Sequence, residues 1–369
     1  MKRRNMAYGL GVIMLCSLAW VWGSGRPRAQ FTVAQGTIVN LAWSPDGKYL
    51  AYCGFGDEFG DHAGCAIINA ATGKPKTRFP NTDDAIAGNG DGVLAFASPD
   101  RLLLPALWHS PTGFMTLWDV RTGKLDRGIN FPPDPNAGGQ TANQLSIAAN
   151  RASFAATEGG PYPVRLYTLP GLKLVRTIAP RRGQGVMNIA LAADGSFLAL
   201  RLDATHVTIV NTASGATLGT ISDDFDRDTA PVSALAISPD DRFLAVGFEN
   251  GGIVQVPGPG GTLETVPNPW PMAPILIWPL VNGAQAGPPQ ALCGPQVQGV
   301  LNMVWTPDSR SVIFSDNRGN VVSCPVRGHT GRILLHRALD AVQVPAISPD
   351  GRRLALGADD KITIVPLKN

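Results

Sequence analysis

The 369 residues carry 31 Lys and Arg against 28 Asp and Glu, a formal charge of +3, with 44% hydrophobic residues, 42 Gly and 31 Pro. So large an apolar share excludes a chain disordered throughout, and Gly and Pro in such number beside only 16% charged residues fit many short strands joined by turns better than long helices. Five basic and no acidic residues lie in the first 29 positions, leaving 26 Lys and Arg against 28 Asp and Glu in the remainder, which lacks the basic excess a nucleic-acid partner would select.

The first element in chain order is a targeting signal. Lys2, Arg3 and Arg4 form a basic start, and Ala7 to Trp22 runs for 16 residues without a charge. Such a segment stands apart from the fold, which divides the chain into an export segment, 1–29, and a folded body, 30–369. The run is short for a bilayer core, which takes about 20 residues. A cleaved signal peptide is therefore the first reading, cut at Gly23-Ser24-Gly25 or at the Ala29-Gln30 bond. The second is an uncleaved anchor in which residues 7–22 make the only membrane contact and Trp20 and Trp22 sit at the interface. Both readings put the body outside the cytoplasm, periplasmic or secreted. Leu15, ahead of Cys16, is not the small residue a lipidation site wants.

The body repeats itself. Leu41-Ala-Trp-Ser-Pro-Asp-Gly-Lys-Tyr-Leu-Ala-Tyr52 recurs as Ile237-Ser-Pro-Asp-Asp-Arg-Phe-Leu-Ala-Val-Gly-Phe248 and as Ile347-Ser-Pro-Asp-Gly-Arg-Arg-Leu-Ala-Leu-Gly-Ala358. Looser copies start at Phe96, Ile147, Leu191 and Trp305, making seven. Each reads as an apolar strand, a tight turn and a second apolar strand, because Pro presets φ, Asp bonds back to the backbone and Gly accepts positive φ. Measured from the residue before the turn Pro or its equivalent (Ser44, Ser98, Ala148, Ala192, Ser238, Thr306, Ser348), the spacings are 54, 50, 44, 46, 68 and 42. Four-stranded propeller blades take about 40 to 50 residues. A third strand follows every hairpin, as in Met115-Thr-Leu-Trp-Asp-Val120 before Thr122-Gly123-Lys124 and Val207-Thr-Ile-Val-Asn211 before Ser214-Gly215.

On these residues the chain resembles the WD-repeat β-propeller family. The Ser-Pro-Asp-Gly turns and the Leu117-Trp118-Asp119-Val120 segment carry the likeness over nearly all of residues 30–369. The TolB-like and lactonase-like periplasmic propellers are more distant resemblances. Only one copy has the Trp-Asp pair, and Gly328-His329 follows a third strand instead of preceding an innermost one, so the family's Gly-His role is not transferred to it. The expected fold is all-β: a seven-bladed, monomeric propeller of four-stranded antiparallel blades. The last copy runs out of chain after its third strand, so Phe31-Thr32-Val33 is expected to pair with Ile362 to Val365 and close the ring.

The repeated turns fall on one face, while the irregular segments fall on the other, among them Cys53 to Gly64, Ser222 to Ala230 and the insertion between Glu249 and Pro274. Loops held by a rigid scaffold carry function, so the irregular face is the expected binding face. Within the insertion Ile253 to Val256 and Thr262 to Val266 read as an extra hairpin, and Trp270 and Met272 lie in a stiff apolar tip, either a contact for a partner or packing against the blade rim. Asp57, Glu58, Asp61 and His62 share one Gly-rich loop, and Asp223, Asp224 and Asp226 share a link on the same face. Oxygen ligands suit calcium better than zinc, the alternative being solvated acidic loops; no other cofactor is expected. Cys53 and Cys65 flank the first acidic loop and are expected to pair in an oxidising compartment, with Cys293 and Cys324 a second candidate pair; free core thiols are the alternative. Trp43, Trp118, Trp278 and Trp305 are expected to pack between blades.

No catalytic residues are assigned. His62, His109, His206, His329 and His336 are scattered and no Gly-x-Ser-x-Gly motif occurs. The function expected is a non-catalytic extracytoplasmic scaffold for a protein partner. The rival is a propeller enzyme or small-ligand binder, a lactonase-like hydrolase or cofactor-dependent dehydrogenase, using the central channel. Convergent His, Asp or Glu at the channel mouth would favour the rival; walls of Val, Ala and Ser would favour the scaffold.

Overall fold

The computed structural model describes residues 29–33, 37–55, 64–79, 94–105, 115–129, 144–157, 160–181, 184–202, 206–222, 232–248, 253–257, 263–267, 275–293, 299–316, 319–328, 330–336 and 344–367. These form seven antiparallel blades and contain no helix. β1 (Ala29–Thr32) comes first in the chain but belongs to the last blade. Blade 1 is β2 (Thr37–Trp43), β3 (Tyr49–Phe55), β4 (Gly64–Asn69) and β5 (Pro75–Arg78). Blade 2 is β6 (Ala95–Ser98), β7 (Arg101–Pro105), β8 (Met115–Asp119) and β9 (Leu125–Ile129). Blade 3 is β10 (Gln144–Ile147), β11 (Ser153–Thr157), β12 (Val164–Thr168) and β13 (Leu174–Ile178). Blade 4 is β14 (Asn188–Leu191), β15 (Phe197–Arg201), β16 (His206–Asn211) and β17 (Thr217–Ser222).

Blade 5 starts with β18 (Val232–Ile237) and β19 (Phe243–Phe248), then detours through the expected hairpin, β20 (Ile253–Pro257) and β21 (Leu263–Pro267), which pairs only with itself. It resumes at β22 (Ile275–Val281), whose outer edge is shared by two short strands, β23 (Ala284–Gln285) and β24 (Gln290–Leu292). Blade 6 is β25 (Val300–Trp305), β26 (Ser311–Asp316), β27 (Val321–Pro325) and β28 (Arg332–Leu335). Blade 7 is β29 (Val344–Ile347), β30 (Arg353–Ala358) and β31 (Lys361–Pro366), completed by β1.

The first strand of each blade is innermost. β2, β6, β10, β14, β18, β25 and β29 touch one another in an unbroken circuit that returns from β29 to β2. Closure matches the count of strands: Ala29, Gln30, Phe31 and Thr32 pair with Ile364, Thr363, Ile362 and Lys361. The closing strand is Ala29–Thr32 where the sequence predicts Phe31 to Val33, beginning two residues earlier and ending one sooner, and Ala29, Phe31 and Val33 pack against the core shared by blades 7 and 1. The Phe31 ring lies directly on Gly73 in the outer turn of blade 1, so the N-terminal strand fastens both blades.

Seven apolar clusters hold the described blades, one at each blade-to-blade interface. Alternation along a strand explains this placement: successive residues point to opposite faces, so Ala51, Cys53, Cys65 and Ile67 face blade 2 while Leu50, Tyr52, Ala66 and Ile68 face blade 7. Trp43, Trp118, Trp278 and Trp305 are all buried in these interfaces, as expected. Side chains of the following blade press on the backbone at Gly247 and Gly357, equivalent positions in β19 and β30. A Cβ at Gly247 would come within 2.8 Å of Val300, and one at Gly357 would strike Ile38.

Four of the seven turns between first and second strands, those of blades 1, 5, 6 and 7, share one hydrogen-bond pattern. Ser44 Oγ donates to Asp46 Oδ1 at 2.6 Å and accepts from the Tyr49 N–H at 2.9 Å. Ser238 and Thr306 make the same pair of bonds, and so does Ser348 with Asp350 and Arg353. The Thr306 hydroxyl holds the Asp308 carboxyl below the ordinary carboxylate range, and the Ser348 hydroxyl does the same for Asp350. The residue after the Asp, or its equivalent, takes positive φ: Gly47 (67°), Gly195 (80°) and Gly351 (69°) in three copies, but Arg151 (57°), Asp241 (59°) and Ser309 (58°) in three others.

Where Gly is replaced, the side chain binds the preceding blade. Arg151 donates to Phe96 O, Ser309 Oγ accepts from the Asp240 N–H at 3.1 Å, and the Asp241 carboxylate accepts from the N–H groups of Ala193 and Asp194. Burial raises the Asp241 pKa, with Asp194 and Asp240 adding to the effect. A left-handed conformation costs an L residue about 1–2 kcal/mol, which the bond to the neighbouring blade offsets.

Two expectations follow. Deleting residues 30–36 removes the closing strand and should lower the melting temperature by about 5 °C or more; an unchanged calorimetric melt would reject this closure. Ser309→Ala keeps the positive φ and loses the bond, so it should cost about 1–2 kcal/mol in a urea titration, whereas Ser309→Gly relieves the strain and should cost less. Equal costs would refute the compensation.

Candidate binding face and channel

The seven inner strands line the central opening, and their sequences contain no Asp, Glu, His, Lys or Arg. The walls are Val, Ile, Leu, Ala and Met with Ser, Thr, Asn and Gln. Four residues before the reference residue of each turn, a carboxamide recurs: Asn40, Gln144, Asn188 and Asn302 in blades 1, 3, 4 and 6. Gln144 Nε2 donates to Met187 O just ahead of the next inner strand, and Asn188 Nδ2 to Ser233 O at 3.4 Å on the one after. Asn188 Oδ1 accepts from Arg201 Nη1 at 3.3 Å, and the same guanidinium donates to Val232 O. Ser146 Oγ accepts from the Leu191 N–H at 2.8 Å, and Ser233 Oγ donates to Val300 O at 2.6 Å.

The polar groups of the wall therefore bind blade to blade. Buried polar atoms need such partners, and Gln144, Ser146, Asn188 and Ser233 find them on neighbouring blades. Sequence reasoning missed this belt. The signal was present: aligned on the turns, four of the seven copies carry an amide at the same offset.

Connections from second to third strands and from blade to blade leave the described strands at the ends opposite the repeated turns, so the roots of the irregular segments share one face. Asp57, Glu58, Asp61, His62, Asp223, Asp224, Asp226, Trp270 and Met272 lie outside the described residues. The roots of their loops are described. Residues 56–63 leave and re-enter blade 1 at Phe55 and Gly64. Residues 223–231 run from Ser222 in blade 4 to Val232 in blade 5, and the β20–β21 insertion leaves blade 5 at Phe248. In a ring of seven, blade 1 stands diametrically across from the junction of blades 4 and 5. The roots of the two acidic loops are thus on opposite sides of the opening, while Trp270 and Met272 belong to an insertion rooted beside the second acidic loop. Among the described residues no three His, Cys, Asp or Glu gather into a group able to hold a metal ion.

Both cysteine pairs are disulfides. Cys53 and Cys65 are directly opposed in the β3–β4 ladder with Cα atoms 4.1 Å apart, a narrow pairing suited to a cross-strand bridge. Both are buried, and their bridge ties the base of loop 56–63. Cys293, just after β24, joins Cys324 in β27 with Cα atoms 5.7 Å apart, crossing from blade 5 to blade 6. The sequence left that second register open because it depends on how two blades lie against each other.

On the turn face the one Trp-Asp pair builds a small ionic network. Arg101 reaches Asp119 at 2.8 Å, Asp126 at 3.2 Å and Asp100 at 3.3 Å. The N–H and hydroxyl of Thr122 hold the Asp119 carboxyl low, with Arg101 adding to the effect. Trp118 Nε1 donates instead to Thr116 Oγ1 at 2.8 Å, a bond within its own strand.

The chain matches no protein-family model, and no curated protein matches it.

Both bridges limit the unfolded chain, over separations of 12 and 31 residues. Replacing either pair by Ala should cost about 3–4 kcal/mol, read from the guanidinium midpoint of the oxidised protein. A midpoint equal to that of the wild type in both variants would show that the bridges do not restrain the fold.

Proposed function

We propose that this protein is a non-catalytic scaffold working outside the cytoplasm, in the periplasm or secreted, which holds a protein partner on its loop-rich face. The observation that carries the reading is the division of labour around the ring. The inner strands carry no ionisable side chain, and their polar groups are engaged in blade-to-blade bonds. The irregular segments, which a rigid ring positions, all issue from the face opposite the repeated turns.

Two disulfides fit an oxidising compartment. They agree with the basic, then apolar, start of the sequence at Lys2 to Trp22. The insertion of blade 5 is the strongest local candidate for the contact. Among the described residues its β20–β21 ladder pairs with no other sheet, and a lone two-stranded hairpin is marginally stable in water without something to pack on. Trp270 and Met272, next along the chain, are residue types suited to an interface anchor. Calcium on the acidic loops would act at the same face.

The test is cross-linking and capture with the exported protein in its own extracellular or periplasmic extract. A partner held by the wild type should be lost on Trp270→Ser and on replacing residues 249–274 by a short Gly-Ser linker, and retained when the Arg101 cluster is changed to Ala. A partner that survives both changes in blade 5 would refute the assignment of the insertion, and one lost only with Arg101 would move the binding face to the turns.

A further inference from the structure

One position of the repeat decides how tightly neighbouring blades close at their outer half. It is the third-strand residue just before the turn into the fourth strand, and it points into the core shared with the preceding blade. In blades 2, 3 and 5 it is aromatic: Trp118, Tyr167 and Trp278. In blade 6 it is Cys324, cross-linked to blade 5 by its disulfide. In blade 1 it is Ile68, in a core against which Phe31 of the closing strand also packs. Blades 4 and 7 have only Val210 and Val365. Clefts lie at these same two interfaces, about 380 Å³ between blades 3 and 4 and about 500 Å³ between blades 6 and 7.

The two clefts differ chemically. That between blades 6 and 7 is lined by Asp308 and Asp350, already committed to their turns, beside Arg310 and Arg332. The cleft between blades 3 and 4 has an apolar floor that includes Leu200 and Val210, and among the described residues its charged or ionisable lining is Arg181 and His206, with no carboxylate. Thr208 and Thr220 face each other across the β16–β17 ladder, which puts both hydroxyls on the wall toward blade 3. Arg176 closes the end nearer the turns by donating to Thr212 O at 3.0 Å and to Ala213 O. At the other end, among the described residues, no acceptor meets the Arg181 guanidinium, while its backbone N–H donates to Gln184 Oε1 at 3.3 Å.

We propose that the cleft between blades 3 and 4 binds a small organic anion with an apolar body, the acid group on Arg181 and the body over Leu200 and Val210. A volume of 380 Å³ is at the lower end for small-molecule pockets. A planar guanidinium offers a carboxylate two parallel donors, and the threonine hydroxyls donate or accept as the ligand requires. Arg181 lies in the link from β13 to β14, so its end of the cleft opens at the loop-rich face, but small-anion binding is read without any protein partner and is tested independently of it.

The test uses hexanoate, and hexanamide as a body of the same shape without the charge, in saturation-transfer NMR and thermal-shift titrations of the full chain. Hexanoate should bind about tenfold more tightly than hexanamide, the difference a charge-assisted pair supplies. Arg181→Gln should erase that preference and leave hexanamide binding as it was. Val210→Trp, which places here the residue found in blades 2 and 5, should abolish binding of both with no loss of melting temperature; if it fails to fold, Thr208→Leu narrows the cleft from the exposed side and should weaken both. Equal binding of the two probes by the wild type, no binding of either, or binding undiminished in the filled variants would overturn the proposal.

Discussion

No blade of this protein can bury both of its faces by itself. A four-stranded sheet has two apolar sides here, since alternate residues of the second and third strands are buried in both directions. Each side is shielded only by the next blade, and the seven interface clusters are the whole of the core described. Burying a side chain of Leu or Phe size stabilises by about 1.5–3 kcal/mol, and dozens are involved. That favourable term reaches its full size only when the circle is complete, because an open ring would expose two such sides at once.

This constraint explains the placement of the most specific contacts. The closing strand is drawn from the other end of the sequence, and Phe31 from that strand fills the space over Gly73. Trp43 and Trp305 each send an indole N–H to a carbonyl of the preceding inner strand, at 3.0 and 3.1 Å. Arg353 stacks 4.5 Å from the Trp43 ring and donates to Gly47 O at 2.8 Å, so the junction of blades 7 and 1 carries two further ties beside the closing strand. Hydrogen bonds of this kind are worth about 1 kcal/mol each and add direction to a burial term that has none, fixing the angle at which one blade leans on the next.

The same economy separates binding from building. Polar groups on the channel wall are spent on neighbouring backbone, as Gln144 and Ser233 show, and the turn residues are spent within and between turns, as Ser44 and Asp241 show. Outside this set of contacts lies the under-filled interface beside Val210.

Much of this was legible in the sequence. Local signals sufficed for the seven hairpins, because Ser, Pro, Asp and Gly act through contacts two to five residues away, and the count of strands then demanded a closing strand from the N-terminus. The Cys53–Cys65 bridge was equally local, spanning one hairpin. Tertiary structure alone decided the rest. That Arg151, Asp241 and Ser309 serve one purpose, that Cys293 meets Cys324, that the acidic loops are rooted across the ring from each other, and that Val210 leaves a cleft where Trp118 or Trp278 fills one, all depend on which residues of one blade face which of the next. Sequence periodicity encodes the blade, since its forces act over a few residues; the spaces between blades are set by packing between segments some 40 or more residues apart, where only shape in three dimensions determines what meets.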